Sequence, residues 1–204
     1  MDDSQRQVSS SPRDLVLAST SPYRRALLER LGVPFRSKAP VCDEEALKSE
    51  NLPPIRLAER LAHLKAASLA ESEESAATVI GCDQLLSLDD RVYGKPGTTE
   101  AAIEQLASLA GRQHDLITAM VVISGSKTFR HTDVTKLWMR PLSRNAIVRY
   151  VLAERPLDCA GSFKIESRGI TLFERIESED QTAITGLPLI ALVSILTQLG
   201  FEIP

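Results

Sequence analysis

The sequence predicts an α/β fold in which a mixed, twisted sheet is flanked by helices. Three observations carry that prediction. Short apolar runs of strand length alternate with segments of helical period, the order of a layered β-α-β protein. Two longer runs, His114–Ser124 and Thr128–Met139, meet across Gly125-Ser126-Lys127 and read as paired strands, so the sheet is mixed rather than all parallel. The 204 residues are 43% hydrophobic and 25% charged, a globular composition in a chain long enough to bury roughly 70% of its unfolded surface. No repeat or linker divides the chain. Residues 13–204 are read as one domain behind a polar, serine-rich tail at 1–12, which is expected to be disordered.

Leu15–Ala18 is a short apolar run that suits a buried strand. Ser21 before Pro22 marks a helix start, an N-cap followed by proline at the first helical position. Ala26, Leu27, Leu28 and Leu31 give that helix an apolar face, and Gly32 closes it. Val33–Ala39 reads as a second strand, and Cys42-Asp43-Glu44-Glu45 opens an acidic loop running to Asn51. Pro53-Pro54 begins a long helix to about Glu71, with Ile55, Ala58, Leu61, Ala62, Leu64 and Leu69 near helical spacing. Thr78–Leu86 is the next strand, Asp89-Asp90 a tight turn, and Arg91–Tyr93 pairs back on it. Thr99–Ala110 forms a helix ending at Gly111, and Ser143 caps another running to about Ala153. Gly161–Lys164 is expected to be a short extended piece and Gly169–Ile176 a strand. Leu187–Leu199 is expected to be a last apolar helix between Pro188 and Gly200.

Composition narrows the function. Lys and Arg number 24 against 27 Asp and Glu, a net charge of -3, which argues against duplex nucleic acid as the main partner. Cys42, Cys82 and Cys159 form no CxxC pair, and reduced thiols in a cytoplasm are the simplest reading. The polar N-terminus has no apolar core, so no secretory signal is read there. The longest apolar stretch, Leu187–Leu196, is too short to cross a bilayer core of about 30 Å. No GxxxxGK[ST], GxGxxG, HExxH or GxSxG motif occurs, and His63, His114 and His131 have no ligand-like spacing.

Three clusters carry candidate chemistry. In Ser19-Thr-Ser-Pro-Tyr-Arg-Arg25 a strand end runs straight into a helix start. Backbone N–H groups, the positive helix end and three hydroxyls gather there into an anion site. Arg24 and Arg25 oppose the helix dipole unless an anion is bound; the competing reading is two solvated surface arginines. Asp83 interrupts the apolar run Val79–Leu86, where a carboxylate is costly unless it is paired, binds metal or sits at a mouth. Lys95 follows the hairpin, so the pair fits either metal- or base-assisted attack on phosphate or a plain structural salt bridge. Asp43, Glu44 and Glu45 on a loop, with Lys65 inside an apolar helix face, are first read as solvated acids. Cys82 has no histidine partner by spacing and reads as a buried thiol.

Leu17-Ala-Ser-Thr-Ser-Pro-Tyr-Arg-Arg25, Asp43-Glu44, Lys65-Ala66, Gly81-Cys-Asp-Gln84, Gly94-Lys-Pro96 and Ala160-Gly-Ser-Phe-Lys164 occur in one order. With them the chain resembles the Maf (septum-formation-type) nucleoside triphosphate pyrophosphatases from about Leu15 onward. Within that family it looks most like the 7-methyl-GTP pyrophosphatase subgroup, through Tyr23, Gln84, Glu166 and the segments Cys159–Lys164 and Thr185–Leu189. Cys42 and the Ile165 and Ser167-Arg168 flanks of Glu166 depart from the usual pattern.

The resemblance implies two lobes around a cleft, as in inosine-triphosphate pyrophosphatases. It implies hydrolysis of a modified nucleoside triphosphate between the α- and β-phosphates, giving 7-methyl-GMP and diphosphate, with Mg or Mn as cofactor and a homodimer as the common assembly. By the same resemblance Asp83 is the general base. Ser19, Arg24, Arg25, Lys65 and Lys95 handle phosphate, Glu44 joins Asp83 at the metal, and Tyr23, Gln84 and Glu166 select the base. The cations are expected to form a positive patch confined to the cleft. Ionised Glu166 has only acceptors and suits the adjacent N–H donors of a guanine edge, while a methylated, cationic ring also favours the Tyr23 face. A dTTP/UTP or broader modified-nucleotide pyrophosphatase, and a nucleotide-binding division regulator without turnover, are the alternatives.

Overall fold

The computed structural model describes residues 14–72 and 74–203, so the predicted tail at 1–12 lies outside the described residues. Seven strands form one sheet: β1 (Leu15–Ala18), β2 (Arg36–Lys38), β3 (Thr78–Leu88), β4 (Arg91–Tyr93), β5 (Gln113–Ser124), β6 (Lys127–Met139) and β7 (Phe173–Glu177). Their order is β2-β1-β3-β5-β6-β7, with β4 paired to the far end of β3. β1 runs parallel to β2 and β3, whereas β3, β5, β6 and β7 are joined antiparallel. The sheet is mixed, as the two long runs predict.

The helices are α1 (Pro22–Glu29), α2 (Glu44–Lys48), α3 (Pro54–Ala70), α4 (Thr99–Leu109), α5 (Arg144–Glu154), α6 (Gln181–Ile184) and α7 (Leu189–Gln198). Strand alternation sorts the core residues by face. Leu15, Leu17, Ile80 and Cys82 meet α1 and α7, whereas Val16, Ala18, Val79 and Leu85 meet α3. A third core joins the distal parts of β3, β5 and β6 to α4 and α5 through Leu86, Leu106, Leu116, Leu137 and Ile147. The helix leaving β1 therefore packs on one face and the helix leading to β3 on the other. Such a reversal leaves a crevice at the carboxyl ends of parallel strands.

Glycine sets one decisive contact. A Cβ on Gly81 would lie 2.4 Å from the Ala62 carbonyl oxygen and 2.5 Å from the Ala66 nitrogen. Only a bare backbone lets α3 lie this close to β3, and the pair seals a face of Ala58, Leu61, Ala62, Ala66 and Leu69.

The structure departs from the sequence reading at four places. The acidic segment after Cys42 is not all loop: Asp43 caps α2, accepting from the Ala46 N–H at 3.0 Å, with Glu44 and Glu45 in the first turn. That is an N-cap with favourable helix-dipole charges, a signal present in the sequence. The second strand shrinks to Arg36–Lys38 because Pro34 cannot donate to a ladder. Gly161–Lys164 is not extended: 160–162 form a 3-10 turn in which Gly161 and Ser162 take positive φ. Arg168–Leu172 is likewise a 3-10 turn, so the last strand starts only at Phe173. Among the described residues no helix is long and apolar enough to cross a membrane.

Candidate active site

A cleft of about 860 Å³ opens beyond the carboxyl ends of β1 and β2. Segment 18–24, helices α2 and α3, strand β3, the 94–95 bend, the loop 158–166 and the turn 184–186 line it. Its walls draw on the α3 core on one side and on the core of α4 and α5 on the other.

Asp83 sits at its floor. By alternation Asp83 shares the face of Gly81 and Leu85, so the close approach of α3 at Gly81 delivers Lys65 onto it. Lys65 Nζ donates to Asp83 Oδ1 at 2.6 Å and lies 3.2 Å from Glu44 Oε2. Both side chains of the Lys65–Asp83 pair are 10% exposed, and both line the cleft. The ion pair is real, but it joins Asp83 to Lys65 rather than to Lys95, and it faces an open cavity. Two carboxylates from separate segments converge on one ammonium.

The helix start is built as its sequence indicates. Ser21 caps α1, its Oγ accepting from the Arg24 N–H at 3.4 Å, and Pro22 has no N–H to offer. The helix start therefore keeps few free backbone N–H groups. Ser19 is buried, and its Oγ accepts from the Ser21 N–H at 3.1 Å, which leaves its hydroxyl proton to donate. Arg24 Nε donates to the Gly186 carbonyl at 2.9 Å. Arg24 has no carboxylate partner within salt-bridge distance among the described residues, and neither does Lys95, which is exposed at the rim. Arg25 is exposed on α1 and is not among the cleft-lining residues.

The other end of the cleft is held by a loop. Tyr23, Asp158, Cys159 and Glu166 line it, with Cys159 Sγ 4.0 Å from the Tyr23 hydroxyl and Glu166 exposed. Burial raises the Tyr23 pKa above the usual phenol value, and Cys159, Asp158 and Glu166 add to the rise, so the ring stays a neutral phenol. Burial likewise pushes the Cys159 thiol up to about 12, and Cys82 up to about 11; neither is a nucleophile at neutral pH. Gln84 points to the face opposite Asp83. Its amide nitrogen is within hydrogen-bond distance of the Ala183 carbonyl (2.9 Å), the Ile184 carbonyl (3.1 Å) and the Thr118 hydroxyl (2.9 Å). Its donor is thus committed to the fold, though the residue still borders the cleft.

The lining carries three cations, Arg24, Lys65 and Lys95, against five carboxylates, Glu44, Asp83, Asp90, Asp158 and Glu166. It is not the uniformly positive patch that the sequence suggested. No group of three or more His, Cys, Asp or Glu side chains suited to a metal occurs among the described residues. Glu44 and Asp83, meeting at one ammonium, still make a two-carboxylate donor set of the kind Mg²⁺ uses when phosphates and water complete its shell.

Asp158, Thr118 and Gly186 were not singled out from the sequence. An acid beside the Cys159 segment and a glycine inside Thr185–Leu189 were the available signals; Thr118 had none.

A model of the Maf-like protein family matches residues 14–199. A 7-methyl-GTP pyrophosphatase from Bdellovibrio bacteriovorus is 52% identical over 184 residues, covering 90% of this chain and 96% of its own. Proteins of the same name from Xanthomonas axonopodis pv. citri and Pseudomonas putida are 47% and 44% identical, each covering 93% of this chain and 98% of their own. A solved nucleoside-triphosphatase / dITP/XTP pyrophosphatase from Mycobacterium abscessus aligns with 92% of this chain and 98% of its own. Its TM-score of 0.44 and 15% identity make the likeness too slight to bear on function. With a family model spanning nearly the whole described chain and relatives this similar, the chain belongs to the Maf family.

Proposed function

We propose that this chain is a nucleotide pyrophosphatase that hydrolyses 7-methyl-GTP at its α–β anhydride, releasing 7-methyl-GMP and diphosphate. The observation that carries the reading is the arrangement of the cleft: Asp83 and Glu44 converge on Lys65, beside Arg24 and Lys95, two cations left without carboxylate partners. An arginine in a cleft without a carboxylate partner suits a bidentate phosphate ligand. The names of the similar proteins supply the substrate class.

Arg24, Lys95 and the Ser19 hydroxyl hold phosphate oxygens. Asp83 accepts the proton of the attacking water as the water oxygen bonds to phosphorus and the bridging P–O bond breaks, diphosphate leaving with the electron pair. Lys65 keeps Asp83 Oδ1 fixed, so the other oxygen serves the water. Glu44 and Asp83 would hold a divalent cation, Mg²⁺ or Mn²⁺, which when bound screens the phosphates and favours hydroxide formation. Such a cation answers the net acidity of the lining, which by itself would repel a triphosphate.

At the loop end, Tyr23 and Glu166 bracket the base. Carboxylate acceptors match the N–H edge of guanine, and the positive charge of an N7-methylated ring favours both the carboxylate and the neutral tyrosine face, the latter by ~0.5–2 kcal/mol. Uracil and thymine flank their single N–H with acceptors that repel Glu166. The free thiols of Cys42, Cys82 and Cys159 fit a cytoplasmic setting.

The test is diphosphate release by purified protein with Mg²⁺, measured side by side on 7-methyl-GTP, GTP, UTP and dTTP. Fastest turnover on 7-methyl-GTP is expected. Faster turnover on the pyrimidine nucleotides would reassign the substrate, and no release from any of them would remove the enzymatic reading.

A further inference from the structure

The turn between α6 and α7 was absorbed by none of the assigned roles, yet it touches two of the site residues. Gly186 accepts Arg24 Nε through its carbonyl at 2.9 Å, across 162 residues of chain. Gly186 also stands at φ 109°, and a Cβ there would lie 3.3 Å from Arg24 Nε. A side chain at this position would both strain the backbone and push on the guanidinium.

The turn itself is over-determined. Asp180 Oδ1 accepts from the Thr182 N–H at 2.8 Å, and Oδ2 accepts from the Ile190 N–H at 2.9 Å, so one buried carboxylate ties the start of α6 to the start of α7. The Leu189 N–H donates to Thr182 Oγ1 at 2.8 Å. From below, Gln84 donates to the Ala183 and Ile184 carbonyls and Thr118 donates to Ala183 O at 2.9 Å. A four-residue helix has little stability of its own, so this many cross-links to one turn indicate a part whose position matters.

We infer that the 180–187 turn is a brace for Arg24. The Gly186 carbonyl takes the Nε hydrogen and fixes the guanidinium plane, so both terminal nitrogens are presented to the phosphates as a fork. Gly186 is a positioning residue that acts through Arg24, and Gln84 is the strut beneath it. A free arginine must surrender its rotamer freedom when it binds; a braced one has already done so. The inference rests on the proposed phosphate role of Arg24.

The experiment is a double-mutant cycle read in two ways: kcat/KM on 7-methyl-GTP, and the Kd of inorganic triphosphate by calorimetry. Gly186→Ala is expected to weaken both on the order of 10-fold, in line with other outer groups that orient a binding side chain. In an Arg24→Ala background the same change is expected to cost nothing further. Gln84→Met, similar in size but without the amide, should repeat the pattern and serves if Gly186→Ala does not fold. Equal losses with and without Arg24 would mean a merely structural turn and would overturn the inference, as would a triphosphate Kd unmoved by either variant. Failure of wild-type turnover with brace-dependent triphosphate binding would instead sink the 7-methyl-GTP reading and leave the brace standing.

Discussion

The two ends of the cleft are built from different materials. The end proposed to carry the chemistry stands on regular structure: Asp83 inside β3, Lys65 inside α3, and Arg24 on the first turn of a proline-started, Ser-capped helix. Its ion pair is nearly buried, and its geometry follows from one glycine contact between helix and strand. The loop end stands on the irregular stretch 156–169, with an exposed Glu166 and positive φ at Gly161 and Ser162. That stretch is pinned from beneath rather than from within. Ser162 Oγ lies 2.6 Å from Gln105 Oε1, the Lys164 N–H donates to the Tyr150 hydroxyl at 3.0 Å, and Phe163 packs edge-on against Phe173 at 4.9 Å. On the proposed roles the difference is a division of labour: chemistry on regular elements packed into the sheet, selectivity on a loop whose residues can change without disturbing the sheet.

The sharpest way to break the comparison is to remove the proposed base. Asp83→Asn is expected to reduce kcat by ~10²–10⁴ while binding of triphosphate persists. An undiminished rate would show that the reacting water is handled elsewhere.

Acid tests the support beneath the loop. His114 is buried against Phe163 and Phe173, at ring distances of 6.3 and 6.0 Å. Burial lowers its pKa from 6.5 to about 4. The unfolded chain therefore binds the proton first as pH falls. Stability is full above about pH 6.5 and declines toward pH 4, by up to about 3 kcal/mol. Denaturant melts of wild type and His114→Phe across that window should differ in slope. Parallel curves would mean that His114 does not titrate this way.

Gly81→Ala probes the contact that seats Lys65. With backbone of α3 2.4 Å from the added methyl, the helix must lift. Overpacking of this kind costs typically ~1–3 kcal/mol, and here turnover should fall with stability because Lys65 moves off Asp83. A destabilised variant with wild-type kcat would separate the two.

The smallest effect belongs to the loop end. Glu166→Gln should leave the melting temperature unchanged and narrow the preference for 7-methyl-GTP over UTP by roughly 10-fold, the value of one charge-assisted hydrogen bond. Unchanged selectivity would place base recognition on Tyr23 and Asp158 instead.

Most of the framework was readable from residue order, since strand alternation, Ser and Pro helix starts and glycine stops are local effects. The misreadings fell on short pieces with no clear period: the five-residue α2, the three-residue β2, and the 3-10 turns at 160–162 and 168–172. Asp83 announced itself as a charge in an apolar strand, and the structure seats it at a cleft floor. Its partner did not announce itself. Proximity in sequence suggested Lys95, only 12 positions on, whereas packing of α3 chose Lys65.

Sequence alone determined that this chain forms a mixed α/β sheet, that a helix starts at Ser21-Pro22, and that Asp83 is a charge in an apolar strand, because each depends on a side chain's own chemistry and its immediate neighbours. Tertiary structure alone decided which lysine neutralises Asp83, that the cleft lining is net acidic, and that Gln84 and Arg24 both hydrogen-bond to the 183–186 turn, about a hundred or more residues away. Those outcomes depend on how close two backbones can approach and on which polar groups remain unpaired after packing, quantities that no local pattern encodes.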